Sequence, residues 1–127
     1  MWVPWPQPPS DALKKNPEYR FWVGTDGSWK ERNDSAGCGF VIRYGPFKPT
    51  LSKNILVAQF SEPVVTDRTD FRWVGALEKH SEPAELQAVF RALAWLESAP
   101  DQTTPAVIYV DCEYARRAVL GAIGPRF

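Results

Sequence analysis

Between residues 83 and 110 the chain passes from an amphipathic helix into a short strand with no polar face, and that succession limits its possible folds more than any other feature. Leu86, Val89, Phe90, Leu93 and Leu96 recur at three- and four-residue steps and form one apolar stripe. Pro83 suits a first turn, where its missing N–H would be unpaired anyway, Ser81 is placed to cap, and Pro100 stands just past the end. Residues 106–110 (AVIYV) follow, a run of the kind buried on both faces of a sheet. A helix joining two strands is a crossover, so this strand can lie parallel to an earlier one.

Earlier strands are present. Residues 19–25 (YRFWVGT) are aromatic and β-branched and run into Asp26-Gly27-Ser28, which reads as a turn, so Asp26 is expected at a strand end. Residues 30–37 (KERNDSAG) read as a loop, and residues 38–44 (CGFVIRY) as a second strand closed by Gly45-Pro46. Two more β-like runs are residues 55–60 (ILVAQF) and 71–77 (FRWVGAL). Beyond Asp111 a second amphipathic helix is expected from near Glu113, using Tyr114, Ala118, Val119 and Ala122 and stopped by Gly124-Pro125. The order predicts a mixed sheet with helical cover, in the α/β class. Residues 1–18 hold five of the twelve prolines and read as a semi-extended arm whose Trp2 and Trp5 can dock on the domain or a partner; residues 19–127 form the domain.

Length and composition bound the rest. A chain of 127 residues suffices for one small domain. Net charge is zero, so a nucleic-acid surface would require cations clustered locally. Cys38 and Cys112 make neither a CxxC pair nor a disulfide framework, which fits a reducing, intracellular setting; both read as small buried hydrophobes. One histidine, His80, makes a zinc cluster improbable and reads as a solvated loop residue. No stretch approaches the length of a membrane span, and the opening residues lack the pattern of a secretory signal.

Three acids stand at comparable places: Asp26 after the first strand, Asp111 after the buried strand, and Glu85 in the first turn of the connecting helix. Parallel neighbouring strands would bring the two aspartates out side by side, where open α/β sheets bind ligands. Meeting there, three carboxylates would need a cation, and hard oxygen donors suit Mg²⁺ or Mn²⁺. Taken singly, each acid is more simply a turn residue or a helix-dipole partner.

The segments VGTDGSW, AGCGFVIRYG, PAELQAVFRALAWLE and VIYVDCEYARRAVLGAI resemble, in order, the blocks of a type 1 ribonuclease H domain over about residues 20–123. The resemblance implies antiparallel strands 1–3 with strand 4 parallel to strand 1. It also implies a two-metal endonuclease that cleaves the RNA strand of RNA–DNA hybrids through Asp26, Glu85 and Asp111. Gly27, Ser28, Trp29, Gln87 and Arg116 would contact nucleic acid, with Arg91 and Arg117 as further phosphate candidates. The parent would be a larger polyprotein, such as a retroelement's.

Departures accompany the likeness. Asp26 and Glu85 are 59 residues apart (85 − 26), longer than expected for that family, with the excess between Pro46 and His80. His80-Ser81-Glu82-Pro83 replaces a hybrid-gripping run, and Cys112 replaces a serine. The family's last strand, late histidine and fourth aspartate have no counterpart up to residue 127, so this chain alone is expected to bind metal weakly and to cleave at trace rates. The competing expectations are a non-catalytic binding or structural module on the same fold, and an unrelated α/β domain whose acids are turns and caps.

Overall fold

The computed structural model describes residues 4–8, 17–46, 54–100 and 102–110. Four strands, β1 (Tyr19–Lys30), β2 (Ser35–Pro46), β3 (Ile55–Pro63) and β4 (Ala106–Tyr109), form one mixed sheet in the order β3-β2-β1-β4. β1 and β2, and β2 and β3, pair antiparallel, whereas β4 lies parallel to β1. One helix, α1 (Ser81–Ser98), supplies the crossover and packs on β1 and β2.

Side-chain alternation divides the sheet into two unlike faces. Phe21, Val23, Phe40, Ile42, Tyr44, Ala58 and Phe60 point inward and close over Ala92, Trp95 and Ala99 to make the core. α1 covers β1 and β2, and the β3 flank is covered by the proline-rich arm. Trp5 sets its ring 4.9 Å from Phe60 and 5.8 Å from Phe40, each edge-on, and so docks on the domain. Trp2 lies outside the described residues, as does the expected second helix beyond Asp111.

Five local expectations are corrected. The first strand does not stop at Asp26: β1 runs on to Lys30, and Asp26-Gly27-Ser28 sits within a twelve-residue ladder on β2. Residues 30–37 shrink to a four-residue hairpin loop, a 3-10 turn over Glu31–Asn33 followed by Asp34 in the left-handed region (φ 47°). Asp tolerates that conformation, and its N–H closes the loop on the Glu31 carbonyl at 3.2 Å.

The 71–77 run is not a strand either. The Asp70 carboxylate accepts bonds from the N–H and guanidinium of Arg72, Trp73 Nε1 donates to the Ala76 carbonyl at 2.9 Å, and Gly75 has φ +117°. Local side-chain bonds thus take the backbone away from any ladder. His80, not Ser81, is the N-cap of α1, and it makes no side-chain capping bond.

Finally, α1 buries Ala84, Gln87, Ala88, Val89, Ala92 and Trp95, while Phe90 is 43% exposed. Small residues let the helix approach the sheet closely, so the buried face is rotated away from the expected leucine stripe. Pro100 holds Ala99 extended, and Gln102 Nε2 donates to the carbonyls of Leu96, Glu97 and Ala99, which ends the helix.

A polar cluster lies within this core. Glu62, on the inward face of β3, is 3% exposed and accepts from Gln87 Nε2 at 2.8 Å and from Arg91 Nε at 2.6 Å. Cys38 is the residue paired with Glu62 across the sheet. Burial, and then the Glu62 carboxylate, push its thiol from 9.0 up to about 12. Below pH 9 the thiol is protonated in both folded and unfolded chains and has no pH-linked effect. As pH rises from 9 toward 12 only the unfolded chain ionises, which favours unfolding. The stability of the protein relative to Cys38→Ala should therefore fall by roughly 1 kcal/mol for each pH unit in that window. Urea unfolding at pH 8 and pH 10.5 measures this, and a constant difference would contradict it.

Candidate nucleic-acid and metal site

The outward face of the sheet differs from the inward one because glycine replaces side chains there. Gly24, Gly37 and Gly39 share it with Asp26, Ser28 and Val41, and together they line an open trough of about 1020 Å³. Asp26 and Ser28 are exposed in this trough. Trp22 and Tyr109 lie at one end of the same face, stacked 18° from parallel with centroids 6.3 Å apart.

Two of the three predicted acids can be followed. Asp26 lies on the outward face of β1. Glu85 is the fifth residue of α1, on the inward side, half-buried. Gly27 brings the two segments together: a Cβ there would lie 2.4 Å from the Glu85 N and 2.5 Å from the Ala84 carbonyl carbon. Only glycine allows the helix backbone so close to the residue after Asp26. The third acid, Asp111, lies outside the described residues, as does Arg116. The β1–β4 register ends at Gly24↔Tyr109, and each aspartate stands two positions further along its own chain segment. Thr25 Oγ1 reaches the Tyr109 carbonyl at 3.3 Å at this end of the pairing.

The predicted contact residues fare differently. Ser28 faces the open trough. Gly27 is turned toward α1, not toward the trough. Gln87, expected at a minor groove, is 3% exposed with its amide donating to Glu62. Trp29 is half-buried and stacks on His80 with centroids 4.6 Å apart, so one of its faces is already covered. His80 is accordingly half-buried at the helix start, where a solvated loop residue was expected.

Sequence reasoning missed the Glu62–Arg91 pair because it ended the third strand at residue 60, short of Glu62. It also missed that the described outward face carries more cations than acids. By alternation Arg20, Lys30 and Arg43 stand there against one carboxylate, Asp26, although the chain's net charge is zero. Among the described residues no group of three or more His, Cys, Asp or Glu side chains is placed to hold a metal. The donors that are present, two carboxylates, are of the hard oxygen type that Mg²⁺ and Mn²⁺ take.

No protein family, curated protein or solved structure matches the chain.

Proposed function

We propose that this chain carries a ribonuclease H-like site, in which Asp26, Glu85 and Asp111 hold Mg²⁺ or Mn²⁺ for two-metal hydrolysis of the RNA strand of an RNA–DNA hybrid. The observation that supports this best is the parallel pairing of β1 with β4, which ends two positions short of both aspartates. The close approach of the Gly27 backbone to the α1 backbone at Glu85 supports including Glu85 in the set. When bound, the cation would neutralise charge developing at the scissile phosphate and make water a better nucleophile.

The protein's own part is positioning. Asp26 is carried in the middle of a long hairpin, which fixes its carboxylate on a rigid support. Glu85 is carried in the second turn of a helix anchored by Ala84 and Ala88, both fully buried. For Glu85 to join Asp26, its side chain must reach around the edge of β1 beyond Gly24, where the described β4 pairing has ended. Ser28, exposed beside Asp26, is placed to meet the substrate backbone. A second reading, a non-catalytic nucleic-acid-binding or structural module of a larger polyprotein, is favoured by Gln87, whose amide is engaged inside the protein.

Metal linkage tests the site without requiring turnover. A cation at ten times its Kd should stabilise the fold by about 1.4 kcal/mol, and Asp26→Asn should abolish that response. Thermal unfolding with Mg²⁺ or Mn²⁺ against EDTA reads this directly. An unresponsive protein, or an equal response in Asp26→Asn, would overturn the metal site. If metal binds and a labelled hybrid also binds without being cut, the module reading is favoured over the nuclease.

A further inference from the structure

We propose that the outward face of the sheet binds an unpaired nucleic-acid strand, with a base stacked on Tyr109 and phosphates held by Arg43 and Lys30. The inference rests on the reading of Asp26 as part of a nucleic-acid site, and it names the form of strand that the site accepts.

Four features of that face converge. Tyr109 is 56% exposed, and its ring is backed by the near-parallel indole of Trp22. A ring held this way is a preformed stacking surface, because little side-chain freedom is lost when a base settles on it. Beside it Gly24 leaves open space: a Cβ there would touch nothing within 4 Å. The strand can therefore lie close to the backbone between the aromatic pair and Asp26. Arg43 is the cross-strand partner of Trp22 and makes no ion pair among the described residues, so its charge is available to a phosphate. At the other end of the trough stands Lys30, exposed, four residues beyond Asp26.

The spacing suits a strand laid along β1. Tyr109 is level with Gly24, two residues before Asp26, which is about 7 Å at the usual strand rise. A base on Tyr109 thus places its neighbouring nucleotide beside Asp26. A base paired inside a duplex presents no face for such stacking, so an unpaired segment is required. An aromatic pair beside Arg43 at one end of the face, with Lys30 at the other, fits a polyanion carrying flat bases better than it fits an apolar protein surface.

Anisotropy of fluorescein-labelled U12 tests the surface, with a blunt RNA–DNA hybrid measured in parallel. Tyr109→Ala should weaken U12 binding roughly 5- to 150-fold, whereas Tyr109→Phe should stay within about twofold of the parent. Tyr109→Leu, which keeps an apolar cover on Trp22, gives the same loss if the alanine variant melts early. Arg43→Gln should lower the slope of log affinity against log salt by about 0.7. Binding of U12 that Tyr109→Ala and Tyr109→Leu leave unchanged would overturn the proposal. Binding of the blunt hybrid but not of U12 would overturn it while leaving the ribonuclease reading intact. U12 binding that needs Tyr109, in a protein with no Asp26-dependent metal response, would support the surface and remove the metal site.

Discussion

Replacing Arg91 with Met should cost the protein about 3–5 kcal/mol of stability, the largest effect expected of any single substitution considered. The Glu62 side chain is 1% exposed, and Arg91 holds it by two bonds, Nε to Oε1 at 2.6 Å and Nη2 to Oε2 at 3.2 Å. Removing the guanidinium leaves a carboxylate buried beside an apolar core with only the Gln87 amide to satisfy it. Arg91 also donates to the Arg72 carbonyl and lies 5.9 Å from the rings of both Trp5 and Phe60. Its loss should therefore loosen the loop before α1 and the docked arm as well. Urea unfolding of Arg91→Met, Glu62→Gln and the double variant measures the coupling. The double variant should recover much of the loss, because it removes the orphaned charge. A single-variant cost below about 1 kcal/mol would show that the pair is effectively solvated.

Gly27→Ala should destabilise by about 1–3 kcal/mol or more, and should also blunt the metal response. The added methyl would lie 2.9 Å from the Ala84 Cβ and closer still to helix backbone atoms, which cannot rotate away. The first turns of α1 must then retreat and take Glu85 with them. Gly24→Ala is the control. It stands on the same strand facing open space, so it should change stability by less than about 1 kcal/mol, in either direction. Equal costs at the two positions would mean that strand propensity, and not helix contact, decides the effect. Loss of stability at Gly27 with an intact metal response would separate Glu85 from the cation.

Most of the architecture could be read from local pattern. β1, β2, β3 and β4 each carry β-branched or aromatic runs, and Pro83 and Pro100 marked α1 at its two ends. The extension of β1 past Asp26 could not be read, because the polar residues Asp26 to Lys30 are extended only through pairing with β2. Residues 71–77 misled for the converse reason: their composition suits a strand, yet the Asp70 and Trp73 side chains bond to the backbone locally and Gly75 takes a positive φ. The rotation of α1 was hidden because alanine carries little weight in an apolar stripe, although Ala84, Ala88 and Ala92 are the residues that let the helix seat.

The candidate site was legible as a set of letters and less so as geometry. Asp26 and Glu85 were singled out from the order of their segments and from the resemblance of their flanking blocks. That Gly27 is occupied by the helix, and Gln87 by Glu62, depends on tertiary packing that no local pattern carries. The excess of cations on the outward face was likewise invisible, since Arg20, Lys30 and Arg43 are scattered through a sequence of zero net charge and share a face only through strand alternation and register.

The parallel β1–β4 pair also sets an order of assembly. The β1–β2 hairpin closes across residues 31–34, so a search over a few residues suffices, and such closures take microseconds. Docking β4 instead joins Phe21 to Ala106, 85 positions apart (106 − 21), and must await a seated α1. The β1–β2 side of the Asp26 surface is thus built at once, and a strand of four residues governs when the described sheet is completed.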